Sequence, residues 1–220
     1  MPALCKLLAA LPESSPGAAG RPANSGVETI AQENAVNRMT AGVPGLPPLT
    51  GDAVPVTSFF TARKDFYANG EPVQVLFQPH AHTDGDVIVF FRGSDVVSAG
   101  DLFRTDSYPV IDAARGGTIQ GEIAALNSII DITIPERNQM GGTRVIPGHG
   151  RICNETDVVD YRDMLTIIRD RVRDMVKKNM TVEQVKAAHP TLEYDGIYAT
   201  KDLTGDSLIE VIYNEFRKEK

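Results

Sequence analysis

Tryptophan is absent from the 220-residue chain and aromatic residues make up only 6%, so a surface that stacks nucleobases on rings has little to be built from. Basic residues are outnumbered, Lys+Arg 22 against Asp+Glu 29, for a formal net charge of −7. That sign opposes neutralisation of phosphates or of anionic headgroups, and neither nucleic acid nor a membrane surface is expected as a partner. No apolar run approaches the roughly 20 residues of a membrane helix. The two cysteines, Cys5 and Cys153, stand far apart with no C-x-x-C pair, which excludes a disulfide framework and a zinc ribbon. Residues 1–12 hold one lysine and a short apolar patch that Pro12 interrupts, a poor match to a secretory leader, and no compartment is assigned. Histidine is scarce too: His80, His82, His149 and His189 are the full set.

What is present is ordinary for a globular chain, 42% hydrophobic and 23% charged, with length enough for one domain or two small ones. Eight of the 14 prolines precede residue 56, and residues 12–26 (PESSPGAAGRPANSG) hold almost nothing that could fill a core. That stretch reads as disordered or a linker. A helix is expected over 27–41, with Val27, Ile30, Ala31, Asn34, Ala35 and Arg38 on one face, followed by a Pro-rich connection over 43–55. From residue 56 the pattern turns to strands, with Asn69-Gly70 between apolar runs as a hairpin signal and further strands at 87–91 and 96–98.

Helix 118–130 carries Ile119, Ile123, Leu126, Ile129 and Ile130 on one face, and a short strand over 143–146 ends at Pro147. The strongest helical pattern is 156–178, where Val158, Tyr161, Leu165, Ile168, Val172 and Met175 recur at alternating intervals of 3 and 4 behind Asn154 or Thr156 as cap. Two more helices are expected at 181–188 and 205–218; the charges on these C-terminal helices read as a solvated face, with a docking surface as the alternative. Hairpin-rich β, helix, β and then helices describe a layered α/β or α+β domain.

Three strand ends run into polar, glycine-bearing turns: VLFQPHAHTDGD (75–86), VVSAGDLF (96–103) and RVIPGHG (144–150). Each offers a group that a divalent metal accepts: His82 or His80, Asp101, and His149. Zinc takes imidazole nitrogen and carboxylate oxygen, and a catalytic site leaves one position for water. Taken singly, each has a plainer reading. A histidine in a glycine-rich turn is commonly a turn or surface residue, Asp101 could be a turn carboxylate, Asp84 and Asp86 bracket Gly85 and shape their loop, and His189 sits where a helix ends.

Together, in order and at intervals of 19 and 48 residues, His82-Thr83-Asp84-Gly85-Asp86, Gly100-Asp101-Leu102-Phe103 and Pro147-Gly148-His149-Gly150 resemble the metallo-β-lactamase superfamily. Tyr108-Pro109-Val110-Ile111-Asp112 and Gly116-Gly117-Thr118 look like the stretch that leads into a helix of those enzymes. The resemblance covers about residues 24–220 and implies an αββα sandwich, zinc as cofactor (one or two ions), and a small-molecule substrate. It further implies that His82 ligates one zinc, His149 the other, and Asp101 bridges them as the catalytic carboxylate. Hydroxide held there would attack an ester, thioester or amide carbonyl.

The superfamily's H-x-H-x-D-H motif is missing, since no histidine precedes His80 and none lies between 86 and 148. His80-Ala-His82-Thr-Asp84 could be that motif with its last histidine lost; the preferred reading makes His82 the later, single ligand and His80 a neighbour that does not ligate. The chain is then expected to begin inside the fold, without its first strands, with 1–23 as a disordered or unrelated segment and 24–220 as the domain. Such a half-sandwich exposes sheet edge and apolar face, and pairing into a homo-oligomer would cover them. The expected function is a zinc hydrolase with activity impaired by missing ligands; the alternative is a non-catalytic remnant or binding module.

Overall fold

Asn69 and Gly70 both take positive φ, 52° and 84°, the two-residue turn whose twist matches a hairpin. They join strand β4 (Arg63–Ala68) to β5 (Glu71–Gln78) in antiparallel register, Ala68 opposite Glu71. The computed structural model describes residues 6–7, 29–42, 47–51, 54–55 and 57–218. Strand β6 (Asp86–Phe91) and then β7 (Val96–Arg104) extend the meander, and β8 (Arg144–His149) adds in parallel beside β7. A parallel neighbour requires a crossover, and helix α2 (Ile119–Ile132) supplies it. Pro147 lies in β8, the edge strand of this five-stranded sheet, where its missing N–H leaves no ladder bond unmade.

One face of the sheet is covered by α2, α3 (Glu155–Lys177) and α6 (Gly205–Lys218), with Ile88, Val97, Leu102, Ile129, Leu165, Ile168 and Ile209 among the buried residues. Asn154 and Asp157 exchange the reciprocal bonds of a capping box at the start of α3. Short helices α4 (Val182–Ala187) and α5 (Leu192–Tyr198) connect α3 to α6. The other face meets a small parallel sheet of β1 (Lys6–Leu7), β2 (Thr29–Gln32) and β3 (Thr57–Phe59), through a cluster of Ile30, Phe59, Val73, Val75, Val87 and Val89. Helix α1 (Glu33–Ala41) packs on that small sheet and buries Ala35 and Met39. The elements therefore fall in the αββα arrangement expected from the sequence, and Val73, Val75, Val87 and Val89 on the second face are buried rather than exposed.

Three readings of the sequence change. The helix expected over 27–41 begins only at Glu33; all four residues of β2 before it are buried, with β-branched Thr29 and Ile30 in a strand, and the Gln32 side chain caps the helix at the Asn34 amide. Strand β7 runs to Arg104 instead of stopping at Ser98, because β8 accompanies it across irregular steps at Gly100↔Pro147 and Arg104↔His149. Helix α5 was not expected: it buries no residue fully and leaves Leu192 and Ile197 mostly exposed, so it has no apolar stripe to read. Apart from Lys6–Leu7, residues 1–23 lie outside the described residues, as does the Pro-rich connection in part. Among the described residues no helix is long and apolar enough to cross a membrane.

Candidate functional site

The turn between β5 and β6 is built by its own polar residues. The Thr83 amide and hydroxyl both donate to the Asp86 carboxylate, at 2.6 and 2.9 Å. Arg38 of α1 pairs with the Asp84 carboxylate, and Asn34 donates to the Asp84 carbonyl at 2.9 Å, so the helix on the small sheet braces this loop. Asp84 and Asp86 thus shape the loop, as the sequence suggested.

Inside that turn the His82 Nδ1 lies 2.6 Å from the Val110 carbonyl. A carbonyl can only accept, so Nδ1 carries the proton and Nε2 presents a bare lone pair. Nε2 is buried and has no hydrogen-bond partner among the described residues. An imidazole whose one nitrogen is committed to a carbonyl and whose other is open is how proteins present histidine to a metal.

Asp101 projects from inside β7 and His149 ends β8, rather than either sitting in a turn beyond a strand. Their side chains face each other, Nε2 to Oδ1 at 3.4 Å, with Asp101 partly buried and His149 about half exposed. Gly148 permits that approach: a Cβ there would lie 2.6 Å from Asp101 Oδ1 and 2.6 Å from the Gly100 carbonyl, closer than real side chains come. The Thr105 amide donates to the His149 carbonyl at 3.2 Å and fixes the end of β8 to the continuation of β7.

Beneath these groups lies a carboxylic acid that the sequence reading missed. Glu122, in the first turn of α2, is 0% exposed and neither carboxyl oxygen has a partner among the described residues. Burial pushes its pKa well above the usual carboxylate range, the neighbouring Asp86 and Asp101 push it further, and Arg104 opposes them. Burial likewise raises the Asp86 carboxyl, while its bonds from Thr83 and the nearby His82 pull the other way. Three carboxyl groups thus lie near one guanidinium, that of Arg104, whose Nε is buried without a partner among the described residues. The signal was present, since Glu122 is three residues from Ile119 on a stripe that otherwise reads as core.

The other histidines stand apart. Exposed His80 takes positive φ, and its carbonyl accepts from the Thr118 amide and hydroxyl at 2.9 and 2.8 Å, holding the start of α2. His189 adopts φ 48° just beyond α4, the conformation of a residue that ends a helix. Burial raises the Cys153 thiol to about 12, so it stays protonated.

For zinc, the donors fit in kind but not in number. His82 offers an open imidazole nitrogen, and Asp101 with His149 are adjacent donors, yet among the described residues no three His, Cys, Asp or Glu side chains form a group that could hold a metal ion. The resident set alone does not complete a metal centre.

With this geometry in hand, comparison with solved structures gives the fold as the metallo-β-lactamase fold. The stereoselective inverting sec-alkylsulfatase Pisa1 from Pseudomonas sp. aligns over 87% of this chain and 36% of its own, at 12% identity and TM-score 0.57. A double mutant of the same enzyme gives TM-score 0.62 over the same shares, also at 12% identity. A metallo-β-lactamase from Pontibacter korlensis aligns over 64% of this chain and 59% of its own, at 17% identity and TM-score 0.49. The chain thus spans between about a third and three fifths of the length of these proteins. No family model matches it, and no curated protein does.

Proposed function

We propose that the chain carries the C-terminal ligand set of a zinc-dependent hydrolase in which water attacks an ester, thioester or amide-type bond of a small-molecule substrate. Asp101 is the catalytic carboxylate, and His82 and His149 are the further ligands. The observation that supports this reading most is His82, whose buried Nε2 is left open while its Nδ1 is committed to Val110. The fold shared with the sec-alkylsulfatase agrees. Zinc, when bound, supplies a water acidic enough to react near neutral pH, its pKa lowered to about 7. Because the present donors do not form a group of three, turnover by this chain is expected to be slow.

That same observation favours a second reading, a non-catalytic remnant of the fold or a binding module. Hydrolysis of a chromogenic β-lactam and of a thioester, measured with zinc added and with chelator, separates the two. Slow turnover that zinc restores and that His149→Ala abolishes supports the hydrolase; rates identical with and without zinc, and in His149→Ala, support the remnant.

A further inference from the structure

The carbonyl that commits His82 belongs to a loop held from behind by the C-terminal helices. Val110 lies two residues after Tyr108, and Tyr108 is tied to α5 at both ends. Its amide donates to the Tyr198 carbonyl at 2.9 Å, and its hydroxyl donates to Asp195 Oδ1 at 2.8 Å. The ring packs against Tyr198 at 6.0 Å between centroids, and Tyr198 meets Tyr161 edge-on at 5.4 Å. Tyr161 Oη in turn donates to the Ser107 carbonyl at 3.0 Å. Asp195 is itself fixed, its Oδ2 accepting from Thr191 at 3.3 Å. At the other end of the loop, the Asp112 amide donates to the His82 carbonyl at 2.9 Å.

Helix α5 buries no residue fully and turns Leu192 and Ile197 to solvent, while its Tyr194 and Tyr198 pack partly buried against the core. Besides that packing and an ion pair from Arg171 to Glu193, α5 contributes the hydrogen bonds that hold Tyr108. We infer that α5 is a strut that fixes the His82 imidazole: Tyr108 and Asp195 are positioning residues that hold the Val110 carbonyl where it keeps the proton on Nδ1 and leaves Nε2 open.

The physical basis is the geometry of one bond. Among the described residues Val110 is the only hydrogen-bond partner of the His82 ring, since Nε2 has none there. A hydrogen bond weakens steeply once its angle falls below about 120°, so a small displacement of the 107–110 backbone releases Nδ1. A released imidazole in solution favours the proton on Nε2, which closes the lone pair that a ligand needs. The Tyr108 hydroxyl is suited to its place: burial and the adjoining Asp195 both raise its pKa, so it stays a neutral donor. For catalysis the inference rests on His82 being a ligand; the coupling itself does not.

The experiment is long-range 1H–15N correlation of the histidine rings in the metal-free full chain at about pH 8, with His82 assigned by its loss in His82→Ala. The wild type is expected to show the Nδ1–H form. Tyr108→Phe, which removes only the hydroxyl, and Asp195→Ala should each bring up the Nε2–H form and weaken zinc binding about tenfold, the low end of losses seen when a ligand's support is removed. Asp195→Asn keeps an acceptor for Tyr108 and should restore the wild-type spectrum. A His82 that stays in the Nδ1–H form in Tyr108→Phe overturns the strut, and that variant decides the matter if Asp195→Ala fails to fold. If the tautomer shifts but no zinc binds in any variant, the strut stands and the hydrolase reading falls.

Discussion

The two faces of the five-stranded sheet are covered in different ways. Alternation along β6 sends Ile88 to the helical side and Val87 and Val89 to the other. On the helical side Ile88 joins a cluster spanning α2, α3 and α6; on the other, among the described residues, the two valines cluster with Ile30, Phe59, Val73 and Val75, with Phe66, Ala68, Phe77 and Phe91 packed against them. The strands opposite are two to four residues long. The donors divide along the same line. Asp101, His149 and the Val110 carbonyl behind His82 are held by β7, β8 and the C-terminal helices, whereas the small sheet reaches the site through α1, by Arg38 and Asn34 on Asp84. The thick side thus sets donor geometry, and the thin side braces one loop.

That contrast predicts unequal costs for the same truncation. Ile129→Ala, in the centre of the helical face, should lose about 4 kcal/mol of stability by urea unfolding. Glu122→Leu should act in the opposite sense and gain about 2 kcal/mol, since it removes a buried, unpartnered carboxyl from an apolar stripe; a loss would show that Glu122 is compensated. Ile30→Ala, on the thin face, should lose about 2 kcal/mol, and a loss equal to that of Ile129→Ala would erase the distinction between the faces. Arg38→Met should lose the least, about 0.5 kcal/mol, as a partly exposed pair warrants.

Glu122 also gives the comparison a pH signature. Its carboxyl keeps its proton in the folded chain to higher pH than in the unfolded chain, where it titrates near its ordinary 4.5. Above that value the unfolded state binds fewer protons, so stability falls as pH rises until the folded carboxyl has also ionised. Urea melts from pH 4 to 8 should show this slope in the wild type and a shallower one in Glu122→Leu, with Asp86 supplying what slope remains.

Much of the fold could be read from the sequence where local chemistry and burial agree. Asn69-Gly70, the stripe from Val158 to Met175 and the α2 stripe all have a period that matches the face they bury. Reading failed where the decisive partner is distant. Thr29–Gln32 is a strand because β3 lies beside it, and residues 99–104 continue β7 because β8 pairs across Gly100. Helix α5 is held by its bonds to Tyr108 and by two partly buried tyrosines, Tyr194 and Tyr198, rather than by a continuous apolar stripe, and no periodicity records that. At the site, His82, Asp101 and His149 were found from their turns and from family resemblance, and the structure places Asp101 beside His149. Glu122 and Arg104 escaped notice, and Asp86 was read only as a residue that shapes its loop, because a charge inside a core stripe or a strand declares its role only once its neighbours are known.

The most direct test of the central claim, that His82 is a metal ligand of this chain, is a calorimetric zinc titration of the purified protein beside His82→Ala. The account predicts saturable binding that His82→Ala removes. Absence of zinc binding by the wild type, or binding that His82→Ala leaves unchanged, would contradict it.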